Sequence, residues 1–211
     1  MLAYLLAGDY ASAGELARAA SISAATASGH LARLLDEGFV LFEQRGRHRY
    51  FRLADGEIAQ ALEALAMVAE RGSHSRAWAS PERQRLRHAR CCYGHLAGEL
   101  GVAMLNTLLQ RAWLRPQANG FALTTAGVDG LMALGIEVAG LAGQAGRPTA
   151  YPCLDWSERR DHLAGTLASA MLKHFMAHHW LEREPGERAL AVTPSGSRVL
   201  PTLFAVAVAR P

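Results

Sequence analysis

A repeat in the second part of the chain limits most strongly what this sequence can fold into. His95–Gly98 (HLAG) recurs as His162–Gly165, an offset of 67 residues. Six further positions match at this offset, namely Leu100, Ala103, Met104, Leu105, Trp113 and Leu114 with Leu167, Ala170, Met171, Leu172, Trp180 and Leu181. A repeated unit needs its copy because one unit alone cannot bury its apolar face. Each copy reads as a helix ending in Trp-Leu, a short hairpin and another helix start, which predicts two winged-helix-like repeats, over 82–142 and 153–211.

The hairpin tips of the two copies contain no lysine or arginine. They read Gln117-Ala118-Asn119-Gly120 and Glu184-Pro185-Gly186-Glu187, whereas a DNA-contacting hairpin needs lysine or arginine to neutralise phosphates. A glycine- and proline-rich stretch over 143–152 separates the copies. Two copies that meet create a shared cleft, and such clefts hold ligands. We therefore expect a sensor region over 82–211.

The first 56 residues show a different pattern. A short helical stretch over Glu15–Ala20 is followed by the turn Ser21–Ser23 and an amphipathic helix over Ala24–Glu37. Two alternating segments, Phe39–Gln44 and His48–Leu53, then form a hairpin with an Arg-Gly-Arg tip. This order predicts a winged helix-turn-helix, so the whole chain is expected to be mainly α-helical with small β-hairpin wings.

The second helix and the hairpin tip present the side chains that DNA binding requires. Small residues let a helix enter the major groove, while hydroxyl and arginine side chains reach bases or phosphates. Guanidinium groups on a hairpin meet phosphates or the minor groove. The candidate DNA-binding residues are Ala24, Ala25, Thr26, Ser28, His30, Arg33, Arg45, Arg47, His48 and Arg49. Two alternatives stay open, since His30 could cap or pack within its own domain and the basic tip could be a solvated charged turn.

An apolar stripe follows the hairpin. Over 57–71 it includes Ile58, Leu62, Leu65 and Met67–Ala69 at helical spacing. A helix in this place packs against a partner subunit or against its own domain, and we expect the first. The layout is then a DNA-binding domain with a dimerisation helix over 1–71, a linker over 72–81 and the sensor region.

Two strings carry a resemblance to a known family. ELARAASISAATASGHLARLLDEGFV, followed by QRGRHRYFRL, closely resembles the DNA-binding head of the ArsR/SmtB family of bacterial repressors over residues 1–70. Members usually have a full helix before the segment matching MLAYLLAG, so Met1 is expected to start inside that helix. Longer members of the family resemble this chain at Cys92–Gly98 and Cys153–Arg160. They usually have an acidic residue where this chain has Gly94, and this difference argues against a metal-ligand role for the cysteines and histidines of these segments.

The cysteines and two histidines lie near the starts of the repeats. If residues 84–112 form one helix, Cys91, Cys92 and His95 share a face, and residues of the second copy approach across a pseudo-twofold axis. Three interpretations stay open: inert buried packing, an organic effector pocket, or thiol-based sensing of an oxidant, metal or metalloid. The candidate effector-binding residues are Cys92, Tyr93, His95, Cys153, Trp156 and His162; a metal or metalloid could bind Cys92, His95 and Cys153.

Composition excludes several classes of protein. The chain has 211 residues, 50% of them hydrophobic, and a formal net charge of +3, which fits a globular protein with an anionic partner. Neither a membrane-spanning run nor an export signal is present, so a cytoplasmic location is expected. No phosphate-binding loop or paired catalytic carboxylates are present, and no cofactor beyond the possible metal is expected.

These features predict a DNA-binding transcriptional regulator rather than an enzyme. We expect a homodimeric repressor that binds double-stranded operator DNA and is released by a small or thiol-reactive effector in the C-terminal region. The alternative is an enzyme that uses Cys92 as nucleophile and His95 as base, fused to a winged-helix domain.

Overall fold

The computed structural model of the chain describes residues 1–8, 10–69, 81–141, 148–183 and 187–204. Several sequence expectations lie wholly or partly outside those residues. They are the linker 72–81 apart from Pro81, part of the stretch 143–152, the tip Glu184–Gly186, the end of the expected helix over 57–71 and the end of the expected repeat over 153–211. Among the described residues, no helix combines the length and the apolar character that crossing a membrane needs.

Residues 1–8 and 10–69, which we call the head, form helices around an antiparallel sheet with strand order β1-β3-β2. The elements are α1 (Leu2–Leu5), β1 (Ala11–Ser12), α2 (Ala13–Ala19), α3 (Ala24–Asp36), β2 (Val40–Arg45), β3 (His48–Leu53) and α4 (Gly56–Ala69). The helix α3 and both hairpin strands end within one residue of their predicted bounds. A buried apolar core that includes Leu16, Leu31, Val40 and Leu53 holds these elements together.

Serine caps fix where α2 and α3 begin. The Ser12 side chain accepts from the backbone N–H of Glu15, whose carboxylate accepts in return from the backbone N–H of Ser12, a capping box. The hydrogen bonds that the Ser12 hydroxyl and the Ser12 backbone N–H donate to the Glu15 carboxylate lower the pKa of Glu15. Ser23 accepts from the backbone N–H of Thr26 at the start of α3. At the other end of α3, Gly38 adopts a φ of 73°, which lets the chain turn into β2.

The remaining described residues form the C-terminal region, which begins with α5 (Pro81–His88). Two runs of elements in the same order follow. The first run has β4 (Arg90–Cys92), β5 (His95–Ala97), α6 (Glu99–Gln110), β6 (Leu114–Gln117), β7 (Gly120–Leu123) and α7 (Thr125–Ala133). The second run has β8 (Tyr151–Leu154), β9 (Asp161–Ala164), α8 (Thr166–Ala177), β10 (Leu181–Glu182), β11 (Ala191–Val192) and α9 (Pro194–Leu203). The assignment of each run to a winged-helix-like repeat stays a prediction.

The two runs share one apolar core. Buried side chains of α6, such as Met104, and of α8, such as Met171 and Phe175, belong to the same cluster. The helix α6 contacts β9 and α8 contacts β5, so each helix packs against the hairpin of the other run. The residues before the two helices, Gly98 and Gly165, have φ values of 83° and 99°, a conformation that favours glycine.

The expectation of one helix over 84–112 is wrong. The helix α5 ends at His88, Cys91 and Cys92 lie on β4, and His95 lies on β5. Tyr93 and Gly94 both have positive φ, 48° and 90°, which is the backbone of a two-residue hairpin turn with a right-handed twist. The chain therefore reverses between Cys92 and His95, and α6 begins only at Glu99.

Candidate functional site

All ten candidate DNA-binding residues lie at the surface of the head. The six in α3 are exposed, while Ala27 and Leu31 on the opposite face are buried in the core. The four candidates of the hairpin are also exposed. The helix α3 thus presents small, hydroxyl-bearing and basic side chains to the surface, and the β2–β3 hairpin presents guanidinium groups to the surface.

Neighbouring side chains support two of the hairpin arginines. The guanidinium carbon of Arg45 lies 4.9 Å from the ring centre of Tyr10, and its Nη2 lies 3.1 Å from a carboxylate oxygen of Glu43. The guanidinium carbon of Arg49 lies 4.8 Å from the ring centre of Phe42. These cation–π contacts restrict the long side chains while both guanidinium groups stay at the surface.

A second candidate site lies inside the C-terminal region. Cys92 pairs with His95 across the β4–β5 hairpin, and Cys153 pairs with His162 across the β8–β9 hairpin. Directly opposite residues of an antiparallel pair project to the same face. The two faces meet, so that one sulfur or nitrogen atom from each residue lies within 4.8 Å of the others. We call these four buried residues the Cys/His cluster.

The two histidines of the cluster contact each other. Nε2 of His95 and Nε2 of His162 are 3.1 Å apart, and the ring centres are 5.0 Å apart. The sequence expectation that these residues approach each other therefore agrees with the structure. Two other candidate residues lie outside the cluster. The ring of Trp156 packs against Arg90, whose guanidinium carbon lies 4.7 Å from the ring centre. The side chain of Tyr93 points to the head, where its hydroxyl contacts Leu53.

Asp155 orients one side of the cluster. Its Oδ2 lies 3.1 Å from Nδ1 of His162 and accepts a 2.7 Å hydrogen bond from the backbone N–H of Gly98. Its Oδ1 lies 2.9 Å from Nη2 of Arg90 and also accepts from Ser157. Burial alone would raise the pKa of the Asp155 carboxyl, but the bonds with His162 and Arg90 lower it well below its ordinary value.

A buried set of charges extends from Asp155 to the head. The guanidinium of Arg90 also lies 3.5 Å from the carboxylate of Glu63 on α4, which in addition pairs with Arg188. Two positive and two negative groups balance in this set. Sequence reasoning missed Glu63, Arg90 and Arg188, because a charged residue in a helix or strand reads as a surface residue until its partners are known.

The turn of the β4–β5 hairpin docks on the head. The backbone N–H of Tyr93 donates to the Leu6 carbonyl at 2.6 Å, and its hydroxyl donates to the Leu53 carbonyl at the end of β3, at 3.3 Å. A Cβ atom added to Gly8 would lie 2.7 Å from the Gly94 nitrogen, so the two backbones approach closely there. The residues Cys92 and His95 flank this contact.

The thiols of the hairpin are poor nucleophiles. The hydrogen bond with Cys153, together with burial, raises the pKa of Cys92 to about 12. Burial raises the pKa of Cys91 to about 11, and its Sγ donates to the Ala7 carbonyl at 3.1 Å. A reactive cysteine has a lowered pKa and an accessible sulfur. A bound cation would reverse this situation, because it stabilises the thiolate.

Comparison with known proteins shows a similarity to a bacterial regulator. The chain is 39% identical over 196 residues to a protein of Bacillus subtilis (strain 168) named "Uncharacterized HTH-type transcriptional regulator YdfF", and the match covers 93% of this chain and 86% of the relative. No family model matches the chain. No solved structure matches it either. A match of this length includes most of the head and most of the C-terminal region. This chain therefore belongs to the family of HTH-type transcriptional regulators.

Proposed function

We propose that this DNA-binding regulator is a homodimeric repressor of the ArsR/SmtB type. Its winged helix-turn-helix, within residues 1–71, binds a palindromic operator, and an effector bound within 82–211 releases it. The observation that carries the proposal is the exposed face of α3 together with the arginine-bearing hairpin beside it. The resemblance of both strings to ArsR/SmtB heads supports the assignment to that type.

The exposed apolar residues of α4 support a dimer. Leu65 and Val68, three positions apart on one face, are 64% and 51% exposed. Ile58 and Leu62 instead pack against the core of the head, and Ala59 and Glu63 are buried. The surface offered to a second copy is therefore centred on Leu65 and Val68, which form the C-terminal part of the predicted stripe.

Release would follow from linkage between effector binding and DNA binding. The dimer can have its two α3 helices placed to fit the two half-sites of the operator or placed so that they do not fit. An effector that binds better to the second arrangement lowers operator affinity by the difference between its binding energies to the two, about 1–3 kcal/mol. The docked turn at Tyr93 gives the C-terminal region a direct contact with the head.

The enzyme alternative has less support. A cysteine nucleophile needs access for substrate and a stabilised thiolate. Cys92 is buried, and its pKa is raised to about 12. Both features are the opposite of what nucleophilic catalysis requires.

The DNA-binding hypothesis can be tested by replacing Arg47 and Arg49 with alanine. We expect weaker binding to a fluorescent fragment of the region upstream of the gene, and equally to unrelated DNA, because phosphate contacts carry no sequence information. The slope of log affinity against log salt should flatten by about one unit per lost contact.

Arg115→Ala is the matched control, since Arg115 is an exposed arginine on the β6–β7 hairpin. We expect no change in affinity for this variant. Equal losses in both variants would contradict the assignment of the DNA-binding hairpin. A loss restricted to the specific fragment, with the salt slope unchanged, would make the head hairpin a reader of bases instead.

A further inference from the structure

We propose that Cys92, His95, Cys153 and His162 bind one zinc ion in a closed tetrahedral site, and that this ion holds the turn at Tyr93 against the head. The zinc site itself does not depend on the proposed repressor function. The effect of the ion on the head rests on the proposed repressor function and extends it, because zinc would be a ligand of defined chemistry in the C-terminal region.

The donor set and its spacing suit zinc. Two sulfur and two imidazole donors are a common structural zinc set, with bonds of about 2.3 Å to sulfur and about 2.0–2.1 Å to nitrogen. A regular tetrahedron with those bonds separates its ligand atoms by roughly 3.3–3.8 Å. The four donor atoms here already lie within 4.8 Å of one another. Closing the site around an ion therefore needs shifts of about one ångström.

The contact between Asp155 and His162 prepares one ligand. Oδ2 of Asp155 lies 3.1 Å from Nδ1 of His162. A carboxylate carries negative charge and can only accept hydrogen bonds, so its position favours the tautomer with the proton on Nδ1. The lone pair of a neutral His162 is then on Nε2, the nitrogen that faces the cluster. A carboxylate behind a histidine is the usual outer partner of a zinc ligand, where it fixes the tautomer and the ring orientation.

The charges of the proposed site also balance. All four residues of the Cys/His cluster are buried, and a buried site disfavours any uncompensated charge. Two thiolates neutralise a divalent cation, and Asp155 is already compensated by Arg90. The bound state therefore adds no net charge to the interior of the protein.

The geometry of the hairpin links the site to the head. Cys92 and His95 are the residues on either side of the two-residue turn, and Tyr93 in that turn donates hydrogen bonds to Leu6 and Leu53. An ion that binds both flanking residues removes the freedom of the turn to open. Tyr93 then stays in the conformation in which it contacts α1 and β3.

Cobalt(II) provides a direct test, because its visible spectrum reports tetrahedral geometry and its charge-transfer bands report thiolate ligands. The full-length protein is reduced, stripped with a chelator and titrated with cobalt(II). We expect one cobalt per chain, both kinds of band, and displacement by one equivalent of zinc. The absence of a tetrahedral, thiolate-ligated spectrum in the wild-type protein would overturn the proposal, whatever the variants do.

Two ligand variants and one control locate the ion. Cys92→Ser and His95→Gln should each weaken cobalt binding by more than about 100-fold, beyond the roughly 10–100-fold that outer partners of a metal contribute. Cys91→Ser is the control, because this neighbouring thiol contacts Ala7 rather than the cluster. The control should keep the wild-type spectrum. Equal loss in Cys91→Ser would overturn the assignment of the ligands.

Hydrogen exchange tests the effect on the head separately from DNA binding. Removal of zinc should speed amide exchange of Tyr93 and of the chain near Leu6 and Leu53 by at least about tenfold, while exchange in the interior of α3 stays unchanged. Zinc bound at one per chain with no change in this exchange would overturn the link to the head. Loss of DNA binding by the arginine variants tests the repressor function independently, since those residues lie outside the cluster.

Discussion

Cys91 and Cys92 show how one step along a strand changes the role of a side chain. Successive residues of a strand project to opposite faces. Cys91 consequently contacts the Ala7 carbonyl of the head, while Cys92 joins the Cys/His cluster. The two thiols are therefore not interchangeable, although the sequence presents them as a pair.

At the same scale, Asp155→Asn should lower the free energy of unfolding by about 3–5 kcal/mol. The substitution leaves one excess positive charge in the buried set of Arg90, Glu63 and Arg188, and an unpaired buried charge is costly. Urea denaturation measures the change. The variant should also weaken cobalt binding by roughly 10–100-fold, because His162 loses its outer partner.

Glu158→Gln is the control for that experiment. Nε of Arg87 lies 2.9 Å from a carboxylate oxygen of Glu158, but 43% of the Arg87 side chain is exposed. A pair of this kind contributes less than about 1 kcal/mol. A similar loss of unfolding free energy in both variants would show that the buried charges contribute no more to stability than an exposed ion pair.

At the scale of elements, the two glycines before α6 and α8 determine where each hairpin ends. A Cβ atom on Gly98 would lie 2.5 Å from the Arg87 carbonyl, and one on Gly165 would lie 2.3 Å from the Thr149 carbonyl. Each glycine thus allows the chain entering a hairpin and the chain leaving it to lie side by side. The HLAG repeat ends on these positions for this reason.

Gly98→Ala should therefore destabilise the protein by about 2–4 kcal/mol, from left-handed strain of about 1–2 kcal/mol and a steric clash. Gly140→Ala isolates the strain, because Gly140 has a φ of 80° and no atom within 4 Å of an added Cβ. We expect about 1–2 kcal/mol for the control in thermal or urea unfolding. Equal effects would mean that close approach at Gly98 contributes nothing.

Local patterns in the sequence predict the elements of the head because their signals are local. Ser23 caps α3, Gly38 ends it, and alternation defines the hairpin. The helix expected over 84–112 fails because Cys91, Cys92 and His95 fit a helical face as well as two short strands. The repeat offset correctly predicts that His95 and His162 lie close together. The burial of Arg90, in contrast, depends on Glu63 and Asp155, which are far away in the sequence and which no local pattern reveals.

At the scale of the whole molecule, the proposed dimer depends on the exposed apolar face of α4. Leu65→Glu combined with Val68→Glu should give monomers, because charges would enter the contact between copies. Such monomers should also lose operator binding, since half of a palindromic site binds weakly. Sedimentation velocity or light scattering measures the mass.

Met132→Glu is the matched control, since Met132 on α7 is 59% exposed and belongs to the C-terminal region. We expect this variant to remain a dimer. A monomeric Met132→Glu variant and a dimeric α4 variant would move the interface to the C-terminal region.

The two hairpins that meet in the Cys/His cluster leave the ribosome at different times. His162 follows His95 by 67 residues, and at roughly 5–20 residues per second their synthesis takes about 3–13 s. During most of that interval, until Cys153 is added, the head is fully synthesised while the cluster has only Cys92 and His95. A product truncated before Cys153 would have a complete head and half of the cluster. The proposed control of the head through a zinc ion is therefore available to the chain only after translation has passed the second hairpin.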